Sequence, residues 1–260
     1  MVSSLYTFLR NKAFLWSLAL CILTLPFQIK VSVFEAQWGH GLPNPYVSIF
    51  VSAFDGALIL ASLAYLFFEK KKTESYLPFL LILFISLASI SLLISPYDDA
   101  LLKLLLCIKL LGLLLFYMLL QHAPSKNFLV KCFIGVMTVE AIWALAQLLL
   151  QHDLGLQLLG ESILTNDTAN VARFSLSKFE IIRGYGSFSH PNMLAGFLAV
   201  SMFFTLQSDL KNREKIVLSS GQFLGLIATF SRSALLALLA VSVFTSLGKK
   251  FITNKYIRTG

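Results

Sequence analysis

Apolar runs broken by short polar and basic segments recur along the whole chain. A helix needs roughly 20 mainly apolar residues to cross about 30 Å of hydrocarbon. On that rule, spans are predicted at 13–29, 46–68, 77–95, 101–120, 128–150, 190–207, 216–230 and 233–248. The last two are short, and their boundary around Phe230–Ser233 is the least sharply marked. The pattern predicts an all-α fold, a polytopic transmembrane helical bundle of about eight spans that forms one integral membrane domain over residues 1–260. The first run is too long for a signal-peptide core, lacks a clear small-residue cleavage site and is followed by further spans, so it is read as a retained helix.

Composition strengthens this reading. Hydrophobic residues make up 57% of the chain and charged residues 13%, about half the charged fraction of ordinary soluble domains. A soluble domain of this size has no room to hide so much apolar surface. The net charge of +8 does not point to nucleic acid, because its basic residues sit in small clusters between apolar runs, where cytoplasmic loops meet anionic lipid. With the N-terminus inside, the inner segments carry Arg10, Lys12, Lys70, Lys71, Lys72, Lys126, Lys131, Lys211, Arg213, Lys215, Lys249, Lys250, Lys255 and Arg258. The outer segments carry Lys30, Arg173, Lys178, Arg183 and Arg232, so fourteen basic residues stand against five and both termini are expected in the cytoplasm.

The longest stretch outside the predicted spans is an outer loop at about 151–189. Its first part, LGLQLLGESIL, has apolar residues at mixed helical spacing that suit a segment lying along the interface. Its middle, TNDTANVARFSLSK, is polar and expected to be irregular. Asn166-Asp167-Thr168 matches a glycosylation acceptor, a weak three-residue signal. Cys21, Cys107 and Cys132 lie in or beside apolar segments without metal-ligand or disulfide spacing and read as buried thiols.

Four ionisable residues fall within spans: Asp55, Lys103, Lys109 and Glu140. Each costs several kcal/mol at mid-bilayer unless paired or wetted. Lys109 and Glu140 are equally far from the turn near 124–125, which puts both about 23 Å from it in antiparallel helices. This predicts a Lys109–Glu140 ion pair, with a helix-orienting role or a proton or ion pathway as its two readings. Lys103 can snorkel toward the outer interface, and Asp55 has no partner beyond a guess at Lys103.

The chemistry concentrates in Arg183-Gly184-Tyr185-Gly186-Ser187-Phe188-Ser189-His190-Pro191-Asn192, which runs into MLAGFLA. Ser189 suits an N-cap and Pro191 a first helical turn, so the free amides of an outward-facing helix start would favour an anion. Gly184 and Gly186 allow a tight turn or close approach, and Arg183 adds a charged bidentate fork. A second unit, Thr229-Phe230-Ser231-Arg232-Ser233-Ala234, again sets a Ser–Arg pair at the outer start of an apolar helix. Two such arginines could clamp a doubly charged group such as pyrophosphate; equally, each could anchor its helix among headgroups. His190 has the pKa for a general base, although a structural role at the helix start fits its place better. His40, His122 and His152 are scattered without metal spacing.

Over about residues 150–245, RGYGSFSHPNMLAGFLA followed by TFSRSALLAL resembles the O-antigen ligase and polymerase family of bacterial membrane glycosyltransferases, and the preceding GLQLLGES is also similar. Over the first 130 residues the likeness is one of hydropathy and topology. The resemblance implies a multi-pass protein of the bacterial inner membrane that transfers a glycan from an undecaprenyl-pyrophosphate carrier to lipid A-core or another acceptor at the outer leaflet. It implies donor-pyrophosphate binding by Arg183 and Arg232, with Ser189, His190, Asn192 and Ser231 beside them. No metal or other cofactor is implied, since the arginines neutralise the departing diphosphate. Family members have about a dozen helices and a second large outer loop carrying the histidine that activates the acceptor. The resemblance therefore implies that this sequence is the N-terminal portion of a longer architecture, and it assigns no catalytic residue here. A polymerase of the same family, a transporter of lipid-linked intermediates and a non-catalytic donor-binding fragment remain alternative readings.

Overall fold

The structure, a computed structural model, describes residues 2–27, 29–34, 49–67, 79–94, 100–165, 171–176 and 179–242. The predicted inner charges Lys70, Lys71, Lys72, Lys249, Lys250, Lys255 and Arg258 lie outside the described residues, as do Lys178, His40 and the Asn166–Thr168 acceptor. Eight helices occur among the described residues: α1 (Val2–Thr24), α2 (Ala53–Leu66), α3 (Phe79–Ile94), α4 (Ala100–Gln121), α5 (Lys126–Leu150), α6 (Pro191–Gln207), α7 (Asn212–Ala228) and α8 (Arg232–Ser242). Each overlaps one predicted apolar run, and the architecture is mainly α-helical. By length and apolar composition, Lys103–Gln121 of α4 and Lys126–Leu150 of α5 can each cross a membrane. The others are shorter or less uniformly apolar.

Two antiparallel hairpins among the described residues were not foreseen. The first pairs β1 (Lys30–Phe34) with β2 (Ile49–Ser52), in the register Val31↔Val51. The predicted span at 46–68 is thus corrected at its start: β-branched Ile49 and Val51 enter a strand, and helix begins only at Ala53. Asp55 accepts from the Ser52 backbone N–H at 2.7 Å, so the acidic third residue closes back on the helix start. The second hairpin pairs β3 (Arg173–Leu176) with β4 (Phe179–Ile182), in the register Arg173↔Ile182. It occupies part of the loop expected to be irregular. The segment expected to lie along the interface forms only a three-residue 3-10 turn at Gln157–Leu159, ended by Gly160 in the left-handed region.

The chain divides into two compact units, Met1–Cys132 and Phe133–Gly260. In the first, α1 packs along α2 through buried Phe14, Leu18, Ala57 and Ala61, and the rings of Phe14 and Tyr65 lie 5.4 Å apart. Helix α3 packs on α4 yet leaves large side chains such as Leu93 and Ile94 exposed. In the second unit, α6 packs on α7, and Gly225 brings α7 so close to α5 that a Cβ there would stand 2.5 Å from that of Ala141. Buried Gln222 of α7 donates to Thr138 Oγ1 on α5 (3.1 Å) and Ser201 Oγ on α6 (3.0 Å), and accepts from Thr205 Oγ1. A polar knot of this kind fixes the rotation of three helices about one another.

Candidate functional site

Helix α5 carries a polar stripe on an otherwise apolar surface. Glu140, Trp143 and Gln147 recur at spacings of three and four residues and so share one face, and Gln151 follows four residues on, just past the helix end. This stripe holds the Arg183–Ser187 loop. Gln147 Oε1 accepts from the Tyr185 and Gly186 amides, both at 2.8 Å. Its Nε2 donates to the Gly186 carbonyl at 2.9 Å and to Glu161 at 2.8 Å. Four bonds saturate the amide. Two turns earlier, buried Glu140 accepts from the Ser187 N–H at 2.8 Å and from its hydroxyl at 2.7 Å. One turn later, Gln151 accepts from the Ile182 N–H at 2.8 Å. Glu161 gathers Trp143 Nε1 and the Leu154 and Leu156 amides, which folds the chain after α5 back onto the same face.

The two residues of the predicted Lys109–Glu140 ion pair belong to different units, and each has a partner within its own. Lys109 is paired with Asp55 instead, and Glu140 serves Ser187. Equal distance from a turn sets depth along a helix, but rotation about the helix axis selects the partner, and depth does not encode rotation.

Two glycines let the loop lie flat on α5. A Cβ at Gly184 would stand 2.6 Å from the Ala144 carbonyl oxygen, so the close approach requires glycine there. Gly186 has φ +58° and faces the Glu140 carboxylate. The phenol oxygen of Tyr185 accepts from the Ala172 N–H, and its ring joins Leu164 and Ile182 in a small buried cluster.

The loop also meets the second motif. The Gly184 N–H donates to the Ala228 carbonyl at 2.8 Å, and Arg183 Nε donates to the Thr229 carbonyl at 2.6 Å. Thr229 ends α7, Phe230 takes the left-handed φ of +48°, and α8 begins at Arg232. The Phe174 ring of the β3–β4 hairpin stacks on Phe230 with centroids 4.7 Å apart. Arg183 Nη2 donates to Asn192 Oδ1, which leaves Nη1 without an acceptor among the described residues. Arg232 is exposed and has no hydrogen bond or ion pair among the described residues. Burial lowers the Arg183 pKa, the Tyr185 phenol opposes this, and the like charge of Arg232 lowers it further. A guanidinium nevertheless stays charged at any ordinary pH. Two cations thus feel each other, with open donors and, among the described residues, without a carboxylate bonded to either.

The helix start differs from expectation. His190, not Ser189, is the N-cap of α6, and Pro191 is its first residue. His190 Nδ1 accepts from the Asn192 N–H at 3.1 Å, and the Met193 N–H is taken by the His190 carbonyl at 3.0 Å. The first amides of α6 therefore already have partners, so the donors left for an anion are side chains. Burial, and then the charge of Arg183, lower the His190 pKa below its ordinary 6.5. The neutral ring, with Nδ1 accepting, carries its proton on Nε2. Ser189 is exposed and its hydroxyl lies 3.6 Å from Met193 Sδ. Ser231 is buried and shares a 3.3 Å contact with the Ser233 hydroxyl.

Arg183, His190, Asn192, Thr229 and Arg232 are thus one neighbourhood, and Ser189 and Ser231 adjoin it in the chain, next to His190 and Arg232. Sequence reasoning missed Gln147, Gln151, Glu161 and Tyr185. The signal was a row of polar side chains at helical spacing inside an apolar span, which reads as a buried face in need of partners. Comparisons with protein-family models, with curated proteins and with solved structures return no match to this chain.

Proposed function

We propose that this chain is a polytopic protein of the bacterial inner membrane, with its eight helices as spans, that binds a lipid-linked pyrophosphate at its outer face. The observation that carries this reading is the meeting of the two arginine motifs. Arg183 is fixed by the Thr229 carbonyl at the end of α7 and keeps donors free, while Arg232 opens α8 three residues later with no partner among the described residues. Planar guanidinium forks match phosphate oxygens bidentately, and two of them suit a diphosphate.

The chemistry proposed for the site is that of an O-antigen ligase-like glycosyltransferase, with the polymerase of the same family as its close alternative. An acceptor hydroxyl oxygen attacks the anomeric carbon, and the bond from that carbon to the pyrophosphate oxygen breaks with inversion. The negative charge gathers on the departing undecaprenyl pyrophosphate, where Arg183 and Arg232 stabilise it. The acceptor's proton passes to a base that is not assigned among these residues. His190 is not that base: one ring nitrogen caps α6 and the other holds a proton.

Binding of undecaprenyl pyrophosphate to the detergent-purified chain tests the reading. Arg183→Ala and Arg232→Ala should each weaken binding by about tenfold or more, as expected when hydrogen bonds to a charged group are lost. Unchanged binding in both variants overturns the clamp. In cells, loss of a ligase leaves long lipid-linked chains, whereas loss of a polymerase leaves single repeats.

A further inference from the structure

The ion pair of the first unit stands where two apolar clefts meet. Asp55 and Lys109 are 24% and 37% exposed, so neither is sealed in the interior. Asp55 Oδ2 collects Lys109 Nζ together with the Ser52 N–H and hydroxyl. Among the described residues its Oδ1 has no partner and Lys109 donates only to Asp55, which leaves two ammonium protons open. A cleft of about 540 Å³ runs from the pair between α3 and α4, past Ala88, Leu92 and Leu110. A second, of about 820 Å³, runs between α2 and α4 past Leu63 and Leu115 as far as Leu66 and Leu119. Both include Phe54, Asp55 and Lys109 in their walls. Each volume lies within the range of about 300–1,000 Å³ typical of small-ligand pockets.

We propose that this arrangement binds one glycerophospholipid with a primary amine in its headgroup, one acyl chain in each cleft. The argument is complementarity of both charge and number. The phosphate meets the open Lys109 protons, and the lipid ammonium donates to Asp55 Oδ1, so a zwitterionic pair receives a zwitterionic head. Two diverging apolar clefts match two chains from one glycerol. A single-chain polyprenyl phosphate fills one cleft and brings no cation to Asp55, and a quaternary choline has no N–H to donate. The site rests on the membrane reading above and is independent of glycosyl transfer.

The test is native mass spectrometry of the full chain, extracted into mild detergent from nanodiscs holding equal parts of phosphatidylethanolamine, phosphatidylglycerol and phosphatidylcholine. The expected result is one retained phosphatidylethanolamine, in excess over the other two. Asp55→Asn should cut the preference over phosphatidylcholine by about tenfold, the ratio for one hydrogen bond to a charged group. A second variant avoids the pair altogether. A Cβ at Gly112 would meet Leu58 Cδ2 at 3.6 Å, so Gly112→Leu projects into the α2–α4 cleft and should lower retention of every two-chain lipid. Retention of the three lipids in bulk proportion by wild type, or preferential retention of phosphatidylglycerol or phosphatidylcholine, overturns the proposal. Recovery of the chain without any association with bilayers overturns the membrane reading instead.

Discussion

Arg183 shows how one side chain can be held and still be available. Its Nε and one terminal nitrogen are spent on the Thr229 carbonyl and on Asn192, which orient the remaining terminal nitrogen. Lysine has the charge but not the fork. Arg183→Lys should therefore lose about tenfold in affinity for inorganic pyrophosphate, measured by calorimetry, although the net charge is unchanged. His190 offers a test by pH. Its folded pKa lies below the ordinary 6.5, so the unfolded chain takes up the proton first as pH falls. The stability it contributes is complete above pH 6.5 and is lost as pH falls through that value toward the folded pKa. Protonation also removes the Nδ1 acceptor that caps α6. Asparagine caps helices without titrating in this range, so His190→Asn should flatten the drop in melting temperature between pH 7.5 and 5.5. An equal drop in wild type and variant removes His190 from the account.

At the scale of elements, α5 acts as a comb whose teeth set the functional loop. Glu140→Leu removes the carboxylate that the Ser187 N–H and hydroxyl donate to, and each hydrogen bond lost there costs about 1–3 kcal/mol. It should lower the melting temperature in detergent and weaken anion binding together. Glu140→Gln keeps an acceptor for the N–H and a donor for the hydroxyl, and should recover most of both. Equal behaviour of the two variants would mean that Ser187 is not held by this side chain. Packing of the same loop is tested at Gly184, where alanine would press a methyl against the Ala144 carbonyl. The expected loss is about 1–3 kcal/mol, read as a thermal shift. Element starts were partly legible: Pro191 and the apolar run after it mark α6 correctly. The cap moved from Ser189 to His190 because a histidine nitrogen with a fixed tautomer accepts as well as a hydroxyl does. The hairpin at β1–β2 was hidden because Ile49 and Val51 are as apolar as a span and only their pairing with β1 distinguishes them.

For the whole molecule, the basic residues set the expected orientation, and labelling tests it. On a background with Cys21, Cys107 and Cys132 replaced by alanine, an impermeant maleimide applied to spheroplasts should label Gln157→Cys after α5 but not Asn212→Cys at the start of α7. Both positions are exposed, so access to the outer solution is what the labelling compares. The reverse pattern would invert the topology, and labelling of both would remove the span between them.

The eight helical stretches were readable from the sequence because a helix satisfies its own backbone groups within one segment, and an apolar run of sufficient length declares itself without reference to any other. The two arginine motifs were readable for a similar reason: the arginines, glycines and prolines that build them are neighbours in the chain. Which side chains meet was decided by the tertiary structure alone. Glu140 answers to Ser187, 47 residues away, and Arg183 to Thr229, 46 residues away. Such partners depend on the rotation of each helix about its axis. Interdigitation at Gly225 and Ala141 and the Gln222 knot fix that rotation, and no single segment contains it.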